Sequence, residues 1–219
     1  MAAGEGTRLR PLTERWPKPV LPIDGKPVVV TLVHELAAAG CAPITVVVGH
    51  LREQVEELLA PLPYDLRFVT QPAALGSADA VERAHATAPY VVSAADTRYA
   101  EGALARFVAE AAGGEGAIGV RRQAGRPDHT RVQVEDGLVR RVNARDAPGD
   151  WTAAPLWHVG PRVDEHLRPL PGRAPYELGD VFQRAIDTGA RVSAIQVGRT
   201  RDLTSPVDVL RENFPYLDA

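Results

Sequence analysis

Cysteine is almost absent: Cys41 stands alone among 219 residues. A single thiol excludes an internal disulfide and leaves a zinc cluster without its usual ligands. Long apolar runs are missing too, and none approaches the roughly 20 residues that span a bilayer. No signal-peptide pattern is visible, so the expectation is a cytoplasmic protein with no membrane partner. An excess of positive charge is also lacking. Lys and Arg number 25 against 28 Asp and Glu, for a net charge of −3. That balance argues against a general nucleic-acid binder and leaves room only for a local cationic pocket. His50, His85, His129, His158 and His166 are scattered, and none has a second histidine or cysteine at ligand spacing. No acid–base dyad stands out, and there are no repeats, low-complexity tracts or interdomain linkers. The sequence sets no oligomeric state.

What remains is an ordinary soluble composition, 45% hydrophobic and 24% charged, in a length that buries one substantial core. Strand and helix patterns alternate. Pro27 to Ala39 carries Val29, Leu32, Val33 and Leu36 at helical spacing, with Gly40 as the stop. Ile44 to Val48 reads as a buried parallel strand, Leu51 to Leu59 as a helix and Leu66 to Val69 as a strand. Ser77 to Ala86 is predicted helical, Tyr90 to Ala94 a buried strand, and Leu104 to Ala111 a helix. After Gly114 come three short strands expected to be antiparallel, 117–121, 131–134 and 138–142, with Asp136-Gly137 as a hairpin turn. Leu156 to Val159, a helix around Leu178 to Ile186, a strand from Val192 to Val197 and a closing helix from Ser205 to Asn213 follow. This order implies an α/β fold: a Rossmann-like, doubly wound, mostly parallel sheet with a small antiparallel insertion. One domain is expected over 1–219, in two halves at 1–114 and 115–219.

The densest signal lies at the amino end. Gly4 and Gly6 bracket one residue, Arg8 follows, and Lys18 sits between Pro17 and Pro19. A glycine loop lets backbone N–H groups crowd an anion, and fixed cations neutralise the rest. The pairing asks for a polyphosphate. The loop is not a Walker A motif, because Gly25-Lys26 is followed by Pro27. Nor is it the dinucleotide fingerprint, since Leu9 stands at the third glycine position. Such a loop ordinarily follows a strand, yet only Met1-Ala2-Ala3 precede it. The first strand is therefore expected to be missing or reduced to a stub.

Residues 2 to 27 resemble, almost throughout, the signature of the sugar-1-phosphate nucleotidylyltransferases: Ala-Ala-Gly-x-Gly-Thr-Arg-Leu-x-Pro-Leu-Thr, then Pro-Lys-Pro, then Pro-x-x-Gly-Lys-Pro. Further segments are similar to that family. Gln71-Pro72-Ala73-Ala74-Leu75-Gly76-Ser77 matches the base-contacting stretch, Asp96 follows a buried strand, and Asp202-Leu203-Thr204-Ser205-Pro206-Val207-Asp208 matches the late acidic motif. The resemblance implies a short single-domain nucleotidyltransferase that joins a nucleoside triphosphate to a sugar-1-phosphate, forms a nucleoside-diphosphate sugar and releases pyrophosphate. It implies that Ala3, Gly4, Gly6, Thr7, Gln71 and Gly76 bind the nucleotide, and that Arg8 and Lys18 neutralise phosphate charge. It also implies Mg²⁺ on Asp96 and Asp202, with Glu177 and Arg145 on the sugar phosphate, and so a nucleotide-binding half at 1–114 and a sugar-phosphate-binding half with the closing helix at 115–219. Ala95, Thr200 and Thr204 depart from the family pattern, and Arg145 stands where the family has lysine. Two alternatives stay open: a cytidylyltransferase for a small phosphorylated alcohol such as phosphocholine, and a nucleotide-binding paralogue without turnover.

Overall fold

Runs of branched aliphatic residues become strands, and amphipathic segments become the helices between them. The computed structural model describes residues 1–122, 130–143, 151–214 and 216. The chain opens with three 3-10 turns, Thr7–Leu9, Leu12–Glu14 and Lys18–Val20. A small hairpin follows, β1 (Pro22–Ile23) with β2 (Lys26–Pro27). Then come α1 (Val28–Ala38), β3 (Ile44–Val48), α2 (Arg52–Leu59), β4 (Leu66–Thr70), α3 (Ser77–Arg83), β5 (Tyr90–Ser93), β6 (Thr97–Arg98) and α4 (Ala103–Ala111). The second half holds β7 (Gly116–Arg122), β8 (Val132–Glu135), β9 (Leu138–Val142), β10 (Trp151–Val159), α5 (Pro161–Asp164), α6 (Leu178–Asp187), β11 (Val192–Gln196), β12 (Arg201–Asp202) and α7 (Pro206–Asn213).

β3 and β4 pair in parallel, and a six-stranded sheet runs in the order β5-β10-β7-β11-β9-β8. Residues 1–3 join the two. Ala2 bridges Val48 in parallel, its N–H donates to Val47 O at 2.7 Å, and Met1 O accepts from the Ala95 N–H at 2.9 Å. Three residues thus take the slot of the first strand between β3 and β5. β10 is antiparallel to β5 and β7, and β7 is parallel to β11, so β5, β7 and β11 share one direction. The result is a mixed α/β fold with a central, mostly parallel sheet. β7, expected among the short antiparallel strands, lies inside this sheet. Its sequence, Gly-Ala-Ile-Gly-Val, is buried nearly throughout, which suits a central position.

Side chains alternate across β10 and β7 and feed two cores. Ala154, Leu156 and Ala117 pack with Val29, Leu32 and Val33 of α1, Val55 and Leu59 of α2, and Leu104 and Phe107 of α4. Trp157, Val159, Ile118 and Val120 pack with Val81 of α3 and with Leu178, Val181 and Phe182 of α6. The Trp157 and Phe182 rings lie 4.9 Å apart and tilted by 54°. A sheet covered on both faces leaves its carboxyl edge as the open end. There the Met1–Ala3 segment delivers the glycine loop, β4 delivers Gln71, and β5 delivers Ala94-Ala95-Asp96. The β6–β12 ribbon sets Asp202 opposite Thr97, and so brings residues about a hundred apart in sequence to this edge.

Candidate active site

The loop takes its shape from Gly6 and Thr13. Gly6 has φ 63°, and a Cβ there would stand 2.9 Å from Thr13 Cγ2 and 3.2 Å from Lys18 Cβ. Only glycine fits. Thr13 is 2% exposed, and its hydroxyl donates to Gly6 O at 2.9 Å. Leu9, 1% exposed, anchors the following turn in a small core with Leu21, Ile23, Val28 and Leu203. The loop is therefore held from beneath by Thr13 and Leu9.

Gly4, Gly6, Thr7, Arg8, Lys18 and Asp96 line one cavity of about 300 Å³, with Leu203 and Thr204 on its far wall. The Lys18 ammonium forms an ion pair with Asp96 Oδ2, and both side chains are mostly covered. Thr97 Oγ1 donates to Asp96 Oδ1 at 3.4 Å. Asp202 does not line this cavity. It stands at the cavity's edge, with Thr204 Oγ1 donating to its carboxylate at 3.0 Å. Asp208 shapes that segment from the first turn of α7, where it completes a capping box with the N-cap residue Ser205. Its Oδ2 accepts the N–H groups of Thr204 at 3.0 Å and Ser205 at 2.7 Å.

Asp96 and Asp202 suit a hard divalent cation. Both offer carboxylate oxygens, and a cation, the Lys18 ammonium, already rests on Asp96. Among the described residues no group of three or more His, Cys, Asp or Glu side chains gathers to hold a metal. Two carboxylates completed by water and phosphate oxygens are the donor set that Mg²⁺ favours.

A second cavity, about 380 Å³, lies on the other side of the amino-terminal segment. Ala2, Gly4 and Gly6 face the first cavity, whereas Ala3 and Glu5 line the second with His50, Arg52, Thr70 and Gln71. Gln71 is 6% exposed; its Nε2 donates to Gly76 O at 3.0 Å and to Asp79 Oδ2 at 2.7 Å. Gly76 lines neither cavity. Its φ is 103°, and a Cβ there would fall 2.3 Å from Tyr176 O. Its bareness serves a clasp: the Tyr176 N–H donates to Leu75 O at 2.7 Å, and the Ala78 N–H to Tyr176 O at 2.8 Å. Glu177, exposed, lies beside that clasp and accepts the Ser77 hydroxyl at 2.7 Å. Arg145 falls outside the described residues.

Several contributors carried no legible signal. His50, one of the scattered histidines, lines the second cavity, and its Nε2 meets Thr13 O at 2.8 Å. Arg201 grips Asp24 through both Nη atoms, at 2.7 and 2.8 Å, and its Nε pairs with Glu212. That fork ties the β1–β2 hairpin and α7 to β12. The Arg201 hydrogen bond holds the Asp24 carboxyl below its ordinary range.

The family model described as "MobA-like NTP transferase domain" matches residues 1–191. The chain belongs to the MobA-like NTP transferase family. The nucleotidyltransferase resemblance carried by the amino-terminal loop is thereby borne out at the level of the family. Among similar proteins, the 2-aminoethylphosphonate cytidylyltransferase of Lancefieldella rimae is 50% identical over 54 residues, 25% of this chain and 22% of that protein. The low-salt glycan biosynthesis nucleotidyltransferase Agl11 of Haloferax volcanii is 26% identical over 232 residues, covering 100% of this chain and 65% of that protein. This NTP transferase chain thus spans less than two thirds of either relative's length. Its fold is also that of the inositol-1-phosphate CTP transferase of T. maritima, with a TM-score of 0.80 at 21% identity over 94% of this chain and 88% of that one. No helix among the described residues is long and apolar enough to cross a membrane.

Proposed function

We propose that this NTP transferase moves a nucleoside monophosphate from a nucleoside triphosphate to a sugar-1-phosphate and releases pyrophosphate. One observation carries the reading: Gly4, Gly6, Thr7, Arg8, Lys18 and Asp96 line a single cavity at the carboxyl edge of the sheet. Loop amides with two cations suit a triphosphate, and a carboxylate among them suits its counter-ion.

The acceptor phosphate is already anionic near neutral pH and needs no general base. Its oxygen attacks the α-phosphorus, a new P–O bond forms, and the bond to the β-phosphate oxygen breaks. The obstacle is electrostatic, since an anion must approach a polyanion. Alignment and charge neutralisation therefore do the catalysis. Arg8 stabilises the departing pyrophosphate. Lys18 leaves Asp96 for the α-phosphate and the incoming phosphate. Asp96 and Asp202 would hold Mg²⁺, which when bound supplies charge neutralisation on the triphosphate oxygens. Glu177 and Arg145 are assigned to the acceptor half, and the second cavity to the base.

A second reading takes the acceptor to be a small phosphorylated alcohol or a small phosphonate and the donor to be CTP. It is favoured by the local 50% identity to the aminoethylphosphonate enzyme. The two readings separate in one assay. Four nucleoside triphosphates are set against a panel of sugar-1-phosphates, phosphocholine and 2-aminoethylphosphonate, and pyrophosphate release is scored. Release with sugar-1-phosphates supports the first reading. Release confined to CTP and the small acceptors supports the second. Nucleotide binding with no release in any pair overturns both.

A further inference from the structure

We infer that Asp79 is a positioning residue: it commits Gln71 to accept rather than donate a hydrogen bond, so that the chain selects its nucleotide through an N–H on the base. The inference rests on the proposed function, which places a base in the second cavity.

Gln71 follows β4 at the cavity wall, and its own N–H is held by Val48 O at 2.8 Å. Its side-chain amide has two N–H groups, and both are used. One meets Gly76 O and the other Asp79 Oδ2. Both partners can only accept when Asp79 is ionised. A flipped amide would set its oxygen against a carbonyl and a carboxylate, two repulsive contacts in place of two hydrogen bonds. Asp79 is 4% exposed, so water offers little relief. Arg83, one helical turn on, donates its Nε to the same Asp79 oxygen at 2.7 Å. That hydrogen bond first, and the Gln71 contact after it, hold the Asp79 carboxyl below its ordinary range. The carboxylate is thus kept charged, and with it the orientation of Gln71.

A free glutamine amide reads a base edge with a donor and an acceptor together, and adapts to either by turning over. Gln71 has lost that freedom. It presents only Oε1 to a ligand, which must answer with an imino or amino N–H. An edge offering only acceptors at that point meets lone pairs with lone pairs. Asp79, behind the cavity wall, thereby acts on the base without touching it.

The test measures binding of ATP, CTP, GTP, UTP and inorganic tripolyphosphate, each with Mg²⁺, by calorimetry on the full chain. Asp79→Leu keeps the packing volume and removes the acceptor. It is expected to weaken the preferred nucleotide at least tenfold and to narrow the spread among the four. Tripolyphosphate, which has no base, should change less than twofold. Asp79→Asn is the conservative variant: its amide oxygen can replace Oδ2 and accept from both Gln71 and Arg83, so preference should return to within threefold of wild type. Where turnover is followed, the Asp79→Leu loss should fall on the KM for the nucleotide rather than on kcat. Unchanged nucleotide preference in a folded Asp79→Leu variant would overturn the inference alone, as would equal weakening of nucleotides and tripolyphosphate. A wild-type chain that binds none of the four nucleotides would overturn the inference together with the function beneath it.

Discussion

In the proposed reaction Arg8 and Lys18 meet the heaviest electrostatic demand, because the cavity they line would take a triphosphate and a second phosphate. Removing one preorganised charge of this kind typically costs ~3 kcal/mol of transition-state stabilisation, about a hundredfold in rate. Arg8→Ala and Asp96→Ala should each lower kcat/KM by about that factor in a pyrophosphate-release assay, with circular dichroism unchanged. Lys18→Arg should fail comparably, since a planar guanidinium cannot replace a compact ammonium between Pro17, Pro19 and Asp96. Retained turnover would show that Lys18 acts only as a point of positive charge. These residues were legible in the sequence because loop, arginine and lysine fall within nineteen positions. Thr13, His50 and Asp79 were not, because their partners lie in other elements or on backbone carbonyls that only the folded chain brings close.

Elements matter most where the two halves of the chain meet. Leu75 to Ala78, at the start of α3, is clasped to Tyr176 and Glu177 before α6. The Ser77 hydroxyl works both ways. It donates to Glu177 and accepts the Leu178 N–H at 2.8 Å, serving the first turn of α6. Gly76→Ala forces a Cβ onto the Tyr176 carbonyl at a φ that side chains resist. Unfolding in urea should show a loss of about 2–3 kcal/mol. The KM for both substrates should rise together, because the clasp joins the segment proposed for the nucleotide to Glu177, proposed for the acceptor. A loss confined to the nucleotide KM would contradict that coupling. The helices and long strands were readable from period and punctuation: Val28 to Ala38 by its apolar stripe, Ile44 to Val48 by its continuous valines. The β6–β12 ribbon was not. Each of its strands is two residues long, too short for any period, and it exists because Arg201 ties β12 to Asp24 and Glu212.

At the scale of the whole molecule, alternating strands and helices revealed a doubly wound sheet but not the order of its strands. The antiparallel β10 between β5 and β7 reads locally like any buried strand, and its place follows from which neighbours cover it. That placement buries His158, 5% exposed, with an Nδ1 that finds no partner among the described residues. Burial lowers the His158 pKa below its ordinary 6.5. Its contribution to stability is therefore complete above 6.5 and is lost as pH falls, because the unfolded chain takes up the proton first. His158→Phe should flatten the fall in Tm between pH 7.5 and 5.5; a variant with the wild-type slope would assign acid sensitivity elsewhere. The proposed chemistry is tested most directly by following two labels. With the acceptor that supports turnover, nucleoside triphosphate labelled at the α-phosphorus should pass its label into the joined product, while a γ-label should appear only in pyrophosphate. Transfer of the γ-label to the acceptor, or an α-label that stays with the free nucleotide, would contradict attack at the α-phosphorus in the cavity of Arg8, Lys18 and Asp96.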